Sequence, residues 1–156
     1  MIILSEAINL LNELLVDIFN DILNIEQNAL QNTPFTDVSI TEVHTIHAIG
    51  MYHPRPMSEI AADLKITVGT LTTAINNLVK KGYVERKRIE EDRRVVLIQL
   101  TNKGKLVYRV HEKFHSDMVK MTIKGLTEEE EQTLAKALGK LNNFFKATYS
   151  KTKESL

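Results

Sequence analysis

From Leu4 to about Gln31 the chain carries apolar residues at alternating spacings of four and three: Leu4, Ile8, Leu11, Leu15, Ile18, Ile22, Ile25 and Ala29. No Gly or Pro interrupts the run, so the pattern predicts one long helix, roughly 40 Å at 1.5 Å per residue. A second column (Ile3, Ala7, Leu10, Leu14) widens the stripe over its first turns. A single small domain has no internal face long enough to cover so much apolar surface, and association between subunits does. Asn32–Ser39, with Pro34, breaks the pattern. Ser39-Ile-Thr-Glu42 is a capping box that opens a helix to about Met51. Pro54 and Pro56 stop that helix and bracket a short extended piece, suited to a small strand beside the hairpin further on.

The stretch from Met57 to Leu100 holds the next elements. A short helix with an apolar face (Ile60, Ala61, Leu64) precedes a polar break at Lys65–Thr67. A second helix runs from about Val68 to Lys81, with Thr67 as N-cap and Gly82 where a left-handed terminal residue belongs. Leu71, Ile75, Leu78 and Val79 recur at helical spacing and face inward. The outward face is Gly69, Thr70, Thr72, Thr73, Asn76 and Asn77, small and uncharged with many hydrogen-bonding groups. A helix whose outer face meets only water more often carries Glu and Lys there. Two short helices with such a face on the second are the pattern of a helix-turn-helix. Tyr83–Arg88 and Val95–Leu100 read as strands joined by the charged turn Ile89–Arg94, a hairpin that forms a wing. At its tip Arg93 is suited to a neighbouring minor groove, and Asp92 to holding an arginine by a charge-assisted hydrogen bond. The expected DNA-contacting set is Thr67, Gly69, Thr70, Thr72, Thr73, Asn76, Asn77, Arg88, Asp92, Arg93 and Arg94.

Thr101 caps a further helix to Lys124, before Gly125, with Val107, Val110, Phe114, Met118 and Met121 on its apolar face. Thr127-Glu-Glu-Glu130 is another capping box, opening a last helix through Leu134, Leu138, Leu141 and Phe145 to about Tyr149. The polar tail Ser150–Leu156 is expected to fray. The fold class is mainly α: a winged helix-turn-helix between long N- and C-terminal dimerisation helices, in the order α-α-α-α-β-β-α-α. One domain spans residues 1–156, with 1–35 and 101–150 as dimerisation helices and 39–100 as the winged region.

Composition narrows the function classes. With 43% hydrophobic and 26% charged residues in 156, this is an ordinary globular chain with enough length for a core. It has no cysteine, which removes disulfides, thiolate metal sites and thiol redox switches. Ile2–Leu4 is too short for a signal segment and no run reaches membrane-spanning length, so a cytoplasmic protein is expected. The net charge of zero hides an asymmetry. Residues 1–42 hold seven acids and no Lys or Arg, whereas residues 80–109 hold ten bases against four acids. Phosphate attraction is therefore local to the wing and its flanks. No glycine-rich phosphate loop or nucleophile elbow is present, and Asp17 and Asp21 sit on the polar side of their helix. Neither an enzyme nor a cofactor is expected.

The run Lys-Lys-Gly-Tyr-Val, the wing Asp92-Arg93-Arg94 and the following Leu100-Thr101-Asn102-Lys103-Gly104 resemble the MarR family of winged helix-turn-helix regulators. The resemblance implies a repressor that binds double-stranded DNA as a homodimer on a pseudo-palindromic operator, with recognition helices ~34 Å apart. The family's peroxide-sensing variety depends on cysteine and is excluded.

His111 and His115 lie one turn apart on one helix, and His44 lies on the helix before the winged region. Such imidazoles suit a metal, with Glu26, Glu42 or His47 completing a tetrahedral set. The set resembles that of zinc-sensing members of the family, without the cysteine of their second site; packing among Val107, Phe114 and Met118 is the other reading. Ser39-Ile-Thr-Glu-Val-His44-Thr-Ile, Thr67-Val-Gly-Thr-Leu-Thr-Thr73 and His111-Glu-Lys-Phe-His115 resemble the FabT subgroup. That resemblance implies control of fatty-acid-synthesis genes, with long-chain acyl groups on acyl carrier protein promoting DNA binding. A small hydrophobic effector would then lie at the junction of arm and reading head, among Ile22, Ile25, His44, His47, Val107, His111, Phe114 and His115. The junction's apolar wall favours that ligand over a metal at His44, His111 and His115. A drug- or phenolic-responsive repressor is the remaining alternative.

Overall fold

The glycine-free N-terminal run forms helix α1, Ile2–Gln31. The computed structural model describes the backbone of residues 2–154 and the side chains of residues 4–150. After α1 come α2 (Ile40–Ile49), β1 (Arg55–Pro56), α3 (Met57–Leu64), α4 (Val68–Lys80), β2 (Val84–Arg88), β3 (Val96–Leu100), α5 (Asn102–Ile123) and α6 (Glu128–Glu154). This is the expected mainly helical fold, with terminal helices flanking a winged helix-turn-helix. None of the described helices is long and apolar enough to cross a membrane.

Local chemistry sets the boundaries. The Ser39 hydroxyl accepts the Glu42 N–H at 3.2 Å, and the Glu42 carboxylate accepts the Ser39 N–H at 2.9 Å, so α2 opens on a complete capping box. Gly50, at φ +77°, ends α2 at Ile49 rather than at the expected Met51. Lys65 takes the left-handed conformation at φ 56°, turning the chain from α3 into α4 within a few residues. Thr67 caps α4 by accepting the Thr70 N–H at 3.1 Å, and Gly82 (φ +81°) releases the chain into β2. The proline-bracketed piece is a true strand: β1 pairs antiparallel with β3, Arg55 opposite Ile98, giving the sheet order β1-β3-β2.

Val43, Ile46 and Ile49 of α2, Ile60 of α3, Leu71, Ile75 and Leu78 of α4, Ile98 of β3 and Val107 of α5 are fully buried together. Each such side chain contributes about 1.5–3 kcal/mol on burial. Polar contacts then fasten the end of α4 to the start of α2. Lys81 Nζ lies 2.8 Å from both Glu42 carboxylate oxygens and 2.6 Å from the Asp37 carbonyl. The buried Tyr83 donates its hydroxyl to the Asp37 carboxylate, a bond that holds that carboxyl below its usual range. Burial, foremost, pushes the Tyr83 hydroxyl up. Lys103 Nζ sits 4.0 Å from the Tyr83 ring centroid and donates to the Lys81 carbonyl at 3.0 Å.

The apolar stripe of α1 is bare in the single chain: Leu4 is 67% exposed, Leu11 59% and Ile18 51%. Near the helix end Glu26 and Leu30 turn inward and are buried. Ile3, which belongs to the second column, has its side chain outside the described residues.

The chain divides into two compact units between His115 and Ser116, within α5. In the second unit Thr127 and Glu130 exchange both capping-box bonds, at 2.8 and 3.3 Å, at the head of α6. Leu138, Phe144 and Phe145 are exposed on that helix. α6 continues to Glu154, so the residues from Ser150 are helical where fraying was expected. The sequence there has no Gly or Pro to stop it, and Ser155 and Leu156 lie outside the described residues.

Candidate nucleic-acid interface and histidine junction

Helical periodicity puts Leu71, Ile75 and Leu78 of α4 into the core and leaves Gly69, Thr70, Thr72, Thr73, Asn76 and Asn77 exposed. Several of these polar groups already have local partners. The Thr67 and Thr70 hydroxyls pair at 2.9 Å, and the Thr72 hydroxyl donates to the Val68 carbonyl at 2.8 Å. The Asn76 side-chain oxygen accepts a hydrogen bond from Arg86 Nη2 of β2. Arg86 was absent from the expected set, because only the fold shows its side chain crossing from the wing to α4.

Arg88, Arg93 and Arg94 are exposed at the outer half of the wing. Asp92 departs from expectation. Its carboxylate accepts the backbone N–H of Arg94 at 3.0 Å rather than a guanidinium, and its carbonyl accepts the Val95 N–H at 3.0 Å. It shapes the tip turn, as Asp does through a local side-chain-to-backbone bond. The adjacent arginine side chains are left to point outward.

At the other end of the winged region, side chains from α1, α2 and α5 converge on the Glu26 carboxylate, itself 3% exposed. His44 Nε2 lies 3.3 Å from Oε2, while His111 Nε2 and His115 Nε2 lie 3.1 and 2.5 Å from Oε1. The two α5 nitrogens are 3.1 Å apart. Of the three residues considered as a fourth group, Glu26 is the one that joins the histidines. Glu42 is engaged by Ser39 and Lys81, and His47 stacks on Tyr108 at 4.9 Å and 8°.

Burial, with the nearby His115, pushes His111 down to about 4 against the pull of Glu26. Burial likewise lowers His47. His111 Nδ1 is buried with no partner. A neutral ring donating from Nε2 to Glu26 leaves only a bare lone pair there, a smaller loss than an unpaired N–H. Among the described residues, Glu26, His111 and His115 also offer ligand atoms within 4.8 Å of one another, three of the donors of a zinc site, whereas His44 reaches only the other oxygen of Glu26 and stands outside that set. Around a tetrahedral ion with bonds of about 2.0 Å, ligand atoms stand about 3.3 Å apart. Within that trio the two 3.1 Å separations come near that spacing and the 2.5 Å contact does not.

Beside the carboxylate is a cavity of about 10 Å³, lined by Glu26, Ala29, Leu30, Ile40, Val110, His111 and Phe114. Of the expected effector residues, His111 and Phe114 reach it. His44 and His115 stand on the Glu26 cluster, Val107 is sealed in the core, Ile22 is half-buried and Ile25 is 53% exposed. The wall residues missed from sequence are Ala29 and Leu30, one turn beyond Ile25 and Glu26, with Ile40 and Val110. A wider groove of about 860 Å³ begins at His44 and His47 and runs to Tyr52, Arg55 and Leu64.

Comparison with known proteins places this geometry. Residues 38–96 match the MarR family. The crystal structure of Streptococcus pneumoniae FabT in complex with DNA superposes with a TM-score of 0.83, over 90% of this chain and 98% of that one, at 44% identity. The chain belongs to the MarR family of winged helix-turn-helix regulators. Among its relatives, the transcriptional regulator BilQ of Clostridium symbiosum is 30% identical over 105 residues, 67% of this chain and 72% of that protein. The uncharacterised regulator YfiV of Bacillus subtilis is 30% identical over 107 residues, 68% of this chain, which spans 66% of the length of that relative. Proteins of this family are typically non-catalytic and generally bind DNA as dimers. The family resemblance read from the Asp92-Arg93-Arg94 wing and the Leu-Thr-x-x-Gly run is thereby established.

Proposed function

We propose that this protein represses transcription as a homodimer on a pseudo-palindromic operator, with residues 1–35 and 101–150 as its dimerisation helices. Thr72 and Thr73 meet the major groove, and Arg93 enters the adjacent minor groove. The observation that carries this reading is the uncharged, hydrogen-bonding outer face of α4 set beside a wing of exposed arginines. The bare apolar stripe of α1 supports the dimer. The protein should shift a fragment of its own promoter and lose affinity steeply as salt rises. Arg93→Ala should weaken that binding, and Thr72→Val with Thr73→Val should relax base preference by about 1–3 kcal/mol for each hydroxyl removed from a base edge. Unchanged binding in both variants at fixed salt refutes the assignment.

For the effector, we propose a long-chain acyl group carried by acyl carrier protein, which promotes operator binding at fatty-acid-synthesis genes. The 44% identity with FabT supports this reading, together with the apolar wall of Ala29, Leu30, Ile40, Val110 and Phe114. A volume of about 10 Å³ has room for about one water molecule at most, so the acyl chain enters by parting α1 from α5 at Phe114. Such a wedge is a differential contact of the kind that shifts a two-state equilibrium.

The approach of His111 and His115 to Glu26 favours a second reading, a zinc-responsive repressor. Bound zinc would tie the end of α1 to α5 through Glu26, His111 and His115. Operator affinity with and without long-chain acyl carrier protein, and again with zinc and with chelator, separates the two. A response to zinc alone that His111→Ala abolishes replaces the acyl reading with the metal one.

A further inference from the structure

We propose that Arg86 is a DNA-phosphate contact, held in place by Asn76, and that Asn76 acts through Arg86 rather than by reading a base. The proposal rests on α4 lying in a major groove.

The register of the wing carries the argument. Alternate residues of a strand share one face, so Val84, Arg86 and Arg88 line the same side of β2. Val84 is 2% exposed and packs in the core, which identifies that side as the one turned towards α4. Arg86 pairs in register with the fully buried Ile98. Its own side chain nevertheless leaves the core and crosses to the exposed stripe of α4, where Nη2 donates to Asn76 Oδ1. Apolar at its root, this side of the strand becomes cationic where the outer face of the recognition helix begins.

Two features distinguish this arginine from a solvated one. Among the described residues the Asn76–Arg86 bond is side chain to side chain between two exposed residues on different elements, so it fixes a long, flexible side chain in one place. Its partner is also neutral. Arg55, by contrast, is neutralised by Asp63 at 2.8 Å and Glu59 at 3.6 Å. Holding a guanidinium with an amide keeps its full charge and most of its five donors free. The position then names the ligand. With α4 in a major groove and the wing tip in the next minor groove, the phosphodiester backbone separating them faces the space between helix and wing root. A guanidinium bridging α4 and β2 stands at that place. Asn76, with its oxygen already accepting from Arg86, is a positioning residue.

The test is operator titration at several salt concentrations, beside a fragment of scrambled sequence. Arg86→Met should weaken binding to both fragments by a similar factor, on the order of tenfold, and lower the slope of log K against log salt by about 0.9. Arg86→Lys should keep the slope. Asn76→Asp should mimic Arg86→Met, because an aspartate there neutralises the guanidinium, while Asn76→Ala should weaken wild type and add nothing in the Arg86→Met background. The inference is overturned by an unchanged affinity and slope for Arg86→Met, by a loss confined to the operator, or by additive effects of the two sites. Failure of the wild-type protein to bind its promoter refutes the DNA reading itself, and is distinct from any of these. Both residues are exposed, so melting temperatures near that of wild type verify that each variant folds.

Discussion

Gly104→Ala sets two effects of opposite sign against each other. Gly104 lies in the first turn of α5, buried, and its N–H donates to the Thr101 hydroxyl at 3.2 Å. Helix propensity alone predicts that Ala is better there by about 0.8–1 kcal/mol. The local geometry predicts the reverse. A Cβ on Gly104 would stand 2.1 Å from the Tyr83 carbonyl oxygen, 3.1 Å from its carbon and 3.3 Å from Leu100 Cβ. An ordinary C···O contact needs about 3.3 Å, so something must retreat by roughly 1.2 Å. The obstacle is backbone, and that same carbonyl already accepts the Thr101 N–H at 3.0 Å. Moving α5 away strains that bond and the Thr101 cap, worth about 1 kcal/mol, on top of the 1–3 kcal/mol of overpacking, roughly. The net expectation is a loss of about 2 kcal/mol. Urea unfolding at fixed protein concentration measures it as a shift in midpoint at unchanged slope. Gly69→Ala is the control, since its nearest neighbour is the Thr67 hydroxyl at 3.9 Å. It should leave stability unchanged or raise it by up to about 1 kcal/mol, while altering operator affinity. If Gly104→Ala proves as stable as wild type, the start of α5 yields freely and the packing argument is wrong.

Acidification should destabilise the fold through His111. Folded, this ring takes a proton near about 4, whereas unfolded it does so near 6.5, so stability is complete above 6.5 and is lost as pH falls through that window. The loss is about 2 kcal/mol at pH 5; melts at pH 7.5 and 5 measure it, and an unchanged difference between the two in His111→Asn would show that another group is responsible. Leu11→Glu places a charge in the middle of the exposed stripe of α1 and should convert the dimer to a monomer in light scattering. A mutant that scatters as wild type would move the subunit contact elsewhere.

Much of the winged region was legible because its signals are local. Thr67 and Gly82 bracket α4 by capping chemistry that needs no tertiary structure, and Pro54 and Pro56 mark the short strand that joins the sheet. The histidine pair of α5 follows from a single spacing. What lay out of reach depends on contacts between distant residues. Arg86 is ten residues from Asn76, and sequence spacing says nothing about a strand side chain that crosses to a helix. The Leu-Thr-x-x-Gly run was visible as a motif, but its reason is the carbonyl of Tyr83.

The expectation that Ile25 faces the junction has a different origin, in the geometry of α1. A strict alternation of four and three repeats every 3.5 residues, while a straight helix turns every 3.6, so the column drifts by about 20° per heptad. From Leu4 to Ile25 is three heptads, which carries the column about 60° around the helix. Residues that begin on one line therefore end on different faces. By the last turns Ile25 is 53% exposed, and the buried positions are Glu26 and Leu30, which lie off the column. The same drift lets one unbroken stripe serve two surfaces. From Leu4 to Phe19 its apolar side chains stay exposed, while its last two turns bring a carboxylate under three imidazoles. Supercoiling in a dimer would remove the drift, but the buried Glu26 cluster fixes the rotation of the helix at its C-terminal end. The stripe's departure from straightness must then be taken up towards the N-terminus, where Leu4, Ile8 and Leu11 are exposed.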